Sequence, residues 1–252
     1  VMKIRKKFDL FANIRPARSR PGVHCIARNA DFLIVRENTE GLYAGIEWRT
    51  PKGACALRVI TVHASERIAR VAFELANSRK KRVTIVHKAN ILRESDGLFR
   101  ETCLDVSKNY PDISTDEKIV DAAAMSLVAS PETFDVLVTP NLYGDILSDL
   151  AAQLVGGIGL APSASVGEKY GAFAPVHGSA PDIAGKGIAN PIATVLSAEM
   201  MLDYLGYRQD ARRLDEAVGR VLAEGKVRTP DLGGTSKTNQ VADRIVKELS
   251  MR

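Results

Sequence analysis

An α/β fold is expected from this sequence, on three observations. Short apolar runs bounded by turn residues recur at "DFLIV" (31–35), "RVTIV" (82–86), "EKIV" (117–120) and "FDVLVT" (134–139). Such runs read as strands. Between them lie stretches with helical periodicity. The two kinds alternate along the first half of the chain, which argues for strands crossed over by helices.

The elements follow in order. The chain opens "VMKIRKKFDLF", with basic and apolar residues at helical spacing and no initiator Met, as though an element is already under way. This is expected to be the back part of a longer protein. After the strand at 31–35, "SERIARVAFELANSRK" (65–80) puts Ile68, Val71, Ala72, Leu75 and Ala76 on one stripe. Residues 95–110 behave alike, and 122–130 form a helical stretch ended by Pro131. "NLYGDILSDLAAQLV" continues with helical spacing. The tail differs: past the glycine-rich segments 156–167 and 177–191 come helical stretches near 192–205, 209–224 and 238–249, a second layer or domain. There is no internal repeat and no low-complexity tract.

Composition narrows the function classes. With 252 residues, 45% of them hydrophobic, the chain can bury a sizeable core as one large domain or two modest ones. No stretch approaches the roughly 18 apolar residues of a membrane span, and nothing marks secretion. The net charge is +5, but the basic residues are scattered. The densest clusters are "KIRKK" (3–7) and "RKKR" (79–82), and the second reads as a solvated helix end before a strand rather than a nucleic-acid patch. Cys25, Cys55 and Cys103 are odd in number and widely spaced, with no CxxC. That argues against a structural zinc site and for a reducing, cytoplasmic setting.

Residues 144–149 read "GDILSD". On a helix Asp145 and Asp149 share a face one turn apart, beside an apolar stripe of Leu142, Ile146, Leu150 and Leu154. A divalent cation between the two acids would relieve their repulsion; Mg²⁺ prefers such hard oxygen ligands, with substrate completing its shell. The plain alternative is a solvated acidic edge near a helix start. Asp121 lies at a strand-to-helix junction, where α/β sites tend to lie, or simply caps the following helix.

Arg5, Arg15 and Arg36 each sit beside apolar sequence. Guanidinium forks bind carboxylates bidentately, so three converging arginines would suit a substrate with two or three carboxylates. Arg36 is the least surface-like, because it follows "DFLIV". Tyr43 and Lys88 could move protons near a metal-bound hydroxyl, or be an ordinary core-edge Tyr and surface Lys. "HGSAPDIAGKGIANP" (177–191) is not G-x-G-x-x-G after a strand, so the Rossmann fingerprint is absent. Its small residues still let backbone N–H groups approach a phosphate or ribose. Asp182 could accept both ribose hydroxyls and repel a 2′-phosphate, favouring NAD over NADP; a tight structural loop is the alternative.

Taken together, "FANIRPA", "VRENTEGLYAG", "HKANILRESDGLF", "VDAAAM", "NLYGDILSD" and "HGSAPDIAGKGIANP" resemble the β-decarboxylating dehydrogenases: isocitrate, 3-isopropylmalate and homoisocitrate dehydrogenases. The resemblance covers essentially the whole chain, in the family's motif order. It implies a two-domain fold with mixed sheets flanked by helices. Residues 1–10 and 163–252 would form the cofactor domain, incomplete at its N-terminus, and 11–162 the substrate, metal and dimerisation domain. Family members begin about 80–90 residues earlier, judged from domain size.

The resemblance also implies roles. Arg5, Arg15 and Arg36 would hold the malate carboxylates, Tyr43 would be the catalytic tyrosine, and Lys88 would reach a substrate bound mainly by the other subunit. Asp121, Asp145 and Asp149 would be the Mg²⁺ or Mn²⁺ ligands, with Asp121 crossing a dimer interface. His177, Gly178, Ser179, Ala180, Asp182, Ile183 and Asn190 would line the adenosine side of NAD; NADP-using relatives place a Lys-Tyr pair where Asp182-Ile183 stands. The implied reaction is oxidative decarboxylation of a 3-substituted D-malate by a homodimer or higher oligomer. Isocitrate is slightly favoured over 3-isopropylmalate, with homoisocitrate or a non-catalytic regulatory subunit as alternatives.

Overall fold

The computed structural model of the protein describes residues 2–251. In chain order the helices and strands are α1 (Met2–Lys7), β1 (Ala12–Arg18), β2 (Asp31–Glu37), β3 (Glu47–Thr50), β4 (Gly53–Ala56), α2 (Val62–Asn77), β5 (Arg82–His87), α3 (Ser95–Ser107), β6 (Ser114–Ile119), α4 (Val120–Ala129), β7 (Val136–Thr139) and α5 (Asn141–Leu154). There follow β8 (Pro162–Val166), β9 (Gly171–Pro175), α6 (Ile192–Tyr204), α7 (Arg208–Glu224) and α8 (Thr238–Ser250). The result is the expected α/β fold: a seven-stranded mixed sheet of order β6-β5-β7-β2-β1-β8-β9, flanked by helices, and a separate β3–β4 ribbon. All four strands expected from the sequence are present, with ends shifted by a few residues.

The chain divides into two compact units. The first comprises residues through Ile14, Asp31–Ser148 and Ser165–Gly171; the second comprises Arg15–Ala30, Asp149–Ala164 and the chain from Ala172 onward.

In the first unit β2, β5, β6 and β7 run parallel, with Leu33 opposite Val136 and Val83 also opposite Val136. Strands covered on both faces read as continuous apolar runs, which is why "FLIV", "VTIV" and "VLV" lack alternation. α2 packs Ile68, Ala69, Ala72, Phe73 and Ala76 into the core with Phe99, Cys103 and Val106 of α3. Val71 and Leu75, expected on the same stripe, are only partly buried beside it. The Thr61 hydroxyl caps α2 by accepting the Ala64 N–H at 3.1 Å. The cluster "RKKR" is not a simple solvated helix end. Arg79 donates to Asp135, itself buried, and to Asp31, each at 2.8 Å.

Parallel strands end at the same edge of their sheet, where α/β sites form. Arg36 lies near the end of β2, Lys88 follows β5, Asp121 follows β6, and α5 begins just beyond β7. In the second unit, Leu160 packs with Ile192 and Leu196 of α6, with Val218, Val221 and Leu222 of α7, and with Val241 and Ile245 of α8. Among the described residues no helix is long and apolar enough to cross a membrane.

Candidate active site

Arg36 is the anchor of the first unit's polar edge. It is only 1% exposed, so its charge must be met by fixed partners. Asn141 at the start of α5 accepts from Arg36 Nε at 2.9 Å and from Nη2 at 2.7 Å, while its own amide donates to the Glu40 carbonyl at 3.2 Å. Nη1 of Arg36 pairs with Asp145. The guanidinium also sits 5.0 Å from the centre of the Tyr43 ring, and the Tyr43 hydroxyl donates to the other Asp145 oxygen. Burial, then the bond to Asp145, raises the Tyr43 pKa above its ordinary value, which keeps the phenol protonated.

Local sequence explains the constellation. Tyr43 rides a 3-10 turn, Leu42–Ala44, closed by Gly45 in the left-handed region at φ 72°, a conformation glycine adopts without strain. Gly144 is required by proximity instead. A Cβ there would lie 2.6 Å from both Cβ and Cγ of Arg36, so α5 approaches β2 closely only because "YGD" has no side chain at its middle. The rest of "RENTEG" organises the loop. Glu37 accepts from the Thr39 and Glu40 amides at 2.8 and 2.9 Å, and Glu40 accepts from the Thr61 amide and hydroxyl at 3.0 and 2.9 Å.

Arg5 joins the same group. Burial first, and Arg36 next, push its pKa down from the ordinary value, with Asp145 and Tyr43 opposing. Its Nε is buried with no hydrogen-bond partner among the described residues. Two guanidinium groups close enough to repel, one with an unused buried donor, form a cradle that an anion would complete.

Lys88 and Asp121 are ion-paired, and the Lys88 amine lowers the Asp121 pKa by hydrogen bonding. Asp121 stands in the first turn of α4; α4 shows no side-chain capping bond at its N-cap, Ile119. In the second unit, Arg15 on β1 is buried and lies 3.5 Å from Asp149 Oδ1. α5 carries Asp145 and Asp149 four residues apart, as the sequence spacing predicts. Among the described residues of this one chain, no three acid, imidazole or thiol side chains form a metal-sized group. Carboxylates are the hard donors that Mg²⁺ or Mn²⁺ take. Asp145 and Asp149 are both carboxylates on one helix face and both are partly exposed to solvent, with side chains 35% and 58% exposed.

The loop expected to meet a cofactor is open. Asp182 is exposed, in a 3-10 turn (Pro181–Ile183) that starts from Ala180 at φ 43°. The His177 ring nitrogen Nδ1 lies 3.0 Å from the Gly178 carbonyl, and Gly178, Ser179 and Ala180 are exposed. Asn190 donates to Asp231 at 2.9 Å and accepts the Ile192 amide at 3.0 Å. Thr238 pins the loop through the Gly187 and Ala189 carbonyls at 2.8 and 2.6 Å.

Sequence reasoning missed Asn141, Gly144, Arg58 and Asp96. Asn141 and Gly144 stand inside the quoted "NLYGDILSD". Their signal was a polar residue at a helix start after a buried strand, and a glycine inside an otherwise apolar helix.

The chain matches a family model described as isocitrate/isopropylmalate dehydrogenase over residues 1–245. It is 52% identical over 250 residues to a 3-isopropylmalate dehydrogenase of Archaeoglobus fulgidus, covering 99% of this chain and 76% of that protein. It is 54% identical over 247 residues to an isocitrate/homoisocitrate dehydrogenase of Thermus thermophilus, covering 98% of this chain and 73% of that one. A crystal structure of isocitrate dehydrogenase from Methylococcus capsulatus superposes with a TM-score of 0.95 at 48% identity, covering 98% of this chain and 76% of that one.

Proposed function

The chain belongs to the isocitrate/isopropylmalate dehydrogenase family, and on that premise we propose that it carries out NAD-dependent, divalent-metal-dependent oxidative decarboxylation of a 3-substituted D-malate. Isocitrate is the first choice of substrate, 3-isopropylmalate and homoisocitrate the next. The observation that carries this reading is the cationic cradle: buried Arg36 beside Arg5 with its unpartnered Nε. An acidic metabolite would give Arg5 Nε its partner beside Arg36.

Each residue has a task that its surroundings support. Arg36, locked by Asn141, would present a fixed fork to one substrate carboxylate, with Arg5 and Arg15 reaching the others. Asp145 and Asp149, with Asp121 of a partner subunit, would hold Mg²⁺ or Mn²⁺. When bound, the cation supplies Lewis-acid polarisation of the substrate's 2-oxygen. Lys88 would take the proton from the 2-hydroxyl; NAD, when bound, would supply the hydride acceptor. After loss of CO₂, Tyr43 would protonate C3, its phenol being protonated at neutral pH. Asp182, exposed on its turn, is free to meet a ribose with two hydroxyls, which supports NAD, with His177 to Ile183 and Asn190 lining the adenosine side. We assign residues 1–10 and 163–252 to the cofactor side and 11–162 to substrate, metal and dimerisation. A dimer with shared sites is supported by the apolar Met125, Val128 and Ile146, exposed on α4 and α5.

Calorimetric titration of Mn²⁺ in the presence of each candidate malate tests the metal assignment. Asp145→Asn is expected to weaken Mn²⁺ binding at least about ten-fold. Unchanged affinity would remove Asp145 from the ligand set.

A further inference from the structure

Asp96, in the first turn of α3, is fully buried. Its Oδ2 accepts the backbone N–H of Lys88 at 2.7 Å. Its Oδ1 lies 2.6 Å from Nη2 of Arg58, a side chain only 13% exposed. Arg58 in turn donates through Nη1 to the Tyr143 hydroxyl at 3.1 Å and lies 4.7 Å from the centre of that ring. Tyr143 stands on α5, two residues before Asp145. The segment between Lys88 and Asp96 is a closed turn: Leu92 N–H bonds to the Lys88 carbonyl at 2.9 Å, and Asp96 N–H to the Leu92 carbonyl at 3.0 Å. One buried carboxylate thus accepts the backbone N–H of Lys88 and is ion-paired to a guanidinium that bonds to Tyr143 of α5.

An apolar pair of similar volume would hold a core at least as well as this buried ion pair. What a charged relay adds, here an ion pair flanked by hydrogen bonds at both ends, is a fixed orientation of those ends. Here those ends are the backbone of Lys88, whose amine pairs with Asp121, and the turn of α5 that carries Asp145.

We propose that Asp96 is a positioning residue: it sets where Lys88 presents its amine, and Arg58 and Tyr143 brace Asp96 against α5. The proposal rests on the role of Lys88 in the reaction proposed above. Asp96→Asn retains an acceptor for the Lys88 amide but discharges the partner of Arg58. Tyr143→Phe keeps the ring and removes the Arg58 acceptor, and it serves if Asp96→Asn does not fold.

In the full protein, both variants are expected to lower kcat, Asp96→Asn by about ten-fold, with substrate KM changed less than about two-fold. Neither should lower the residual rate further once Lys88→Met is present. An equal loss in the Lys88→Met background, or a KM effect with kcat unchanged, overturns the proposal. A readout independent of turnover is acetylation of lysines by acetic anhydride, followed by mass spectrometry. Lys88 labelling should rise several-fold relative to exposed Lys108 in either variant; an unchanged ratio overturns the proposal whatever the assay gives. If the unaltered protein oxidises none of the candidate malates while Lys88 labelling shifts, the proposed reaction falls and the positioning of Lys88 by Asp96 stands.

Discussion

At position 144 a single methyl group decides how close a helix can come to a strand. A Cβ would meet Cβ and Cγ of Arg36 at 2.6 Å and Cγ2 of Thr139 at 3.1 Å. Arg36 cannot yield without breaking its two bonds to Asn141. Gly144→Ala is therefore expected to displace the guanidinium and lower kcat/KM by on the order of 10- to 100-fold, with a folded protein by circular dichroism. Steady-state kinetics on the preferred malate would check it, and wild-type kcat/KM would show that Arg36 has room to move. The acids and arginines of the site were legible in the sequence because charge stands out beside apolar runs. The residues that aim them were not. Asn141 and Asp96 look like ordinary helix-start residues, and Arg58 like a surface arginine, until folding brings them to Arg36, Lys88 and Tyr143.

Among elements, α6 carries a second titrating group. Glu199 is pushed up to about 7 from an ordinary 4.5, by burial first and then by Asp215 and Asp203, with Arg20 and Arg18 opposing. Both arginines bind Asp215, at 2.6 and 3.0 Å, and so give Glu199 less relief. Between about 4.5 and 7 the folded state holds a proton that the unfolded state has released. Stability from this group is therefore lost as pH rises through that window. Urea unfolding across pH 4.5–8 is expected to show this fall, and Glu199→Gln to flatten it; an unchanged slope would assign the dependence elsewhere. Helices and buried strands were the readable elements. α2, α3 and α6 to α8 appear near their sequence-expected spans, and "FLIV" and "VLV" mark strands covered on both faces. β1 was not readable, because Pro16 lies within it and interrupts an otherwise plausible strand. The β3–β4 ribbon was overlooked although "TPKG" between its strands is a turn signal, with Thr50 opposite Gly53. Its residues are exposed throughout, so no buried pattern announced them.

For the molecule as a whole, the four parallel strands β2, β5, β6 and β7 bring residues far apart in sequence to one edge. Arg36, Lys88 and Asp121 lie at the ends of β2, β5 and β6, and α5 begins just beyond β7. The apolar Met125, Val128 and Ile146 left exposed on α4 and α5 are the surface proposed above for a second copy. Met125→Asp with Ile146→Asp is expected to yield monomers by sedimentation, with activity lost because Lys88 and Asp121 no longer reach a partner's substrate; active monomers would refute shared sites. The proposed activity is that a buried arginine cradle and a carboxylate-bearing helix carry out oxidation and decarboxylation together. Its most direct test is simultaneous measurement of NADH and CO₂ from the protein with Mn²⁺, given isocitrate, 3-isopropylmalate and homoisocitrate in turn. Equal amounts of both products are expected from at least one of these substrates. NADH without CO₂, or neither product from any of the three, would contradict it.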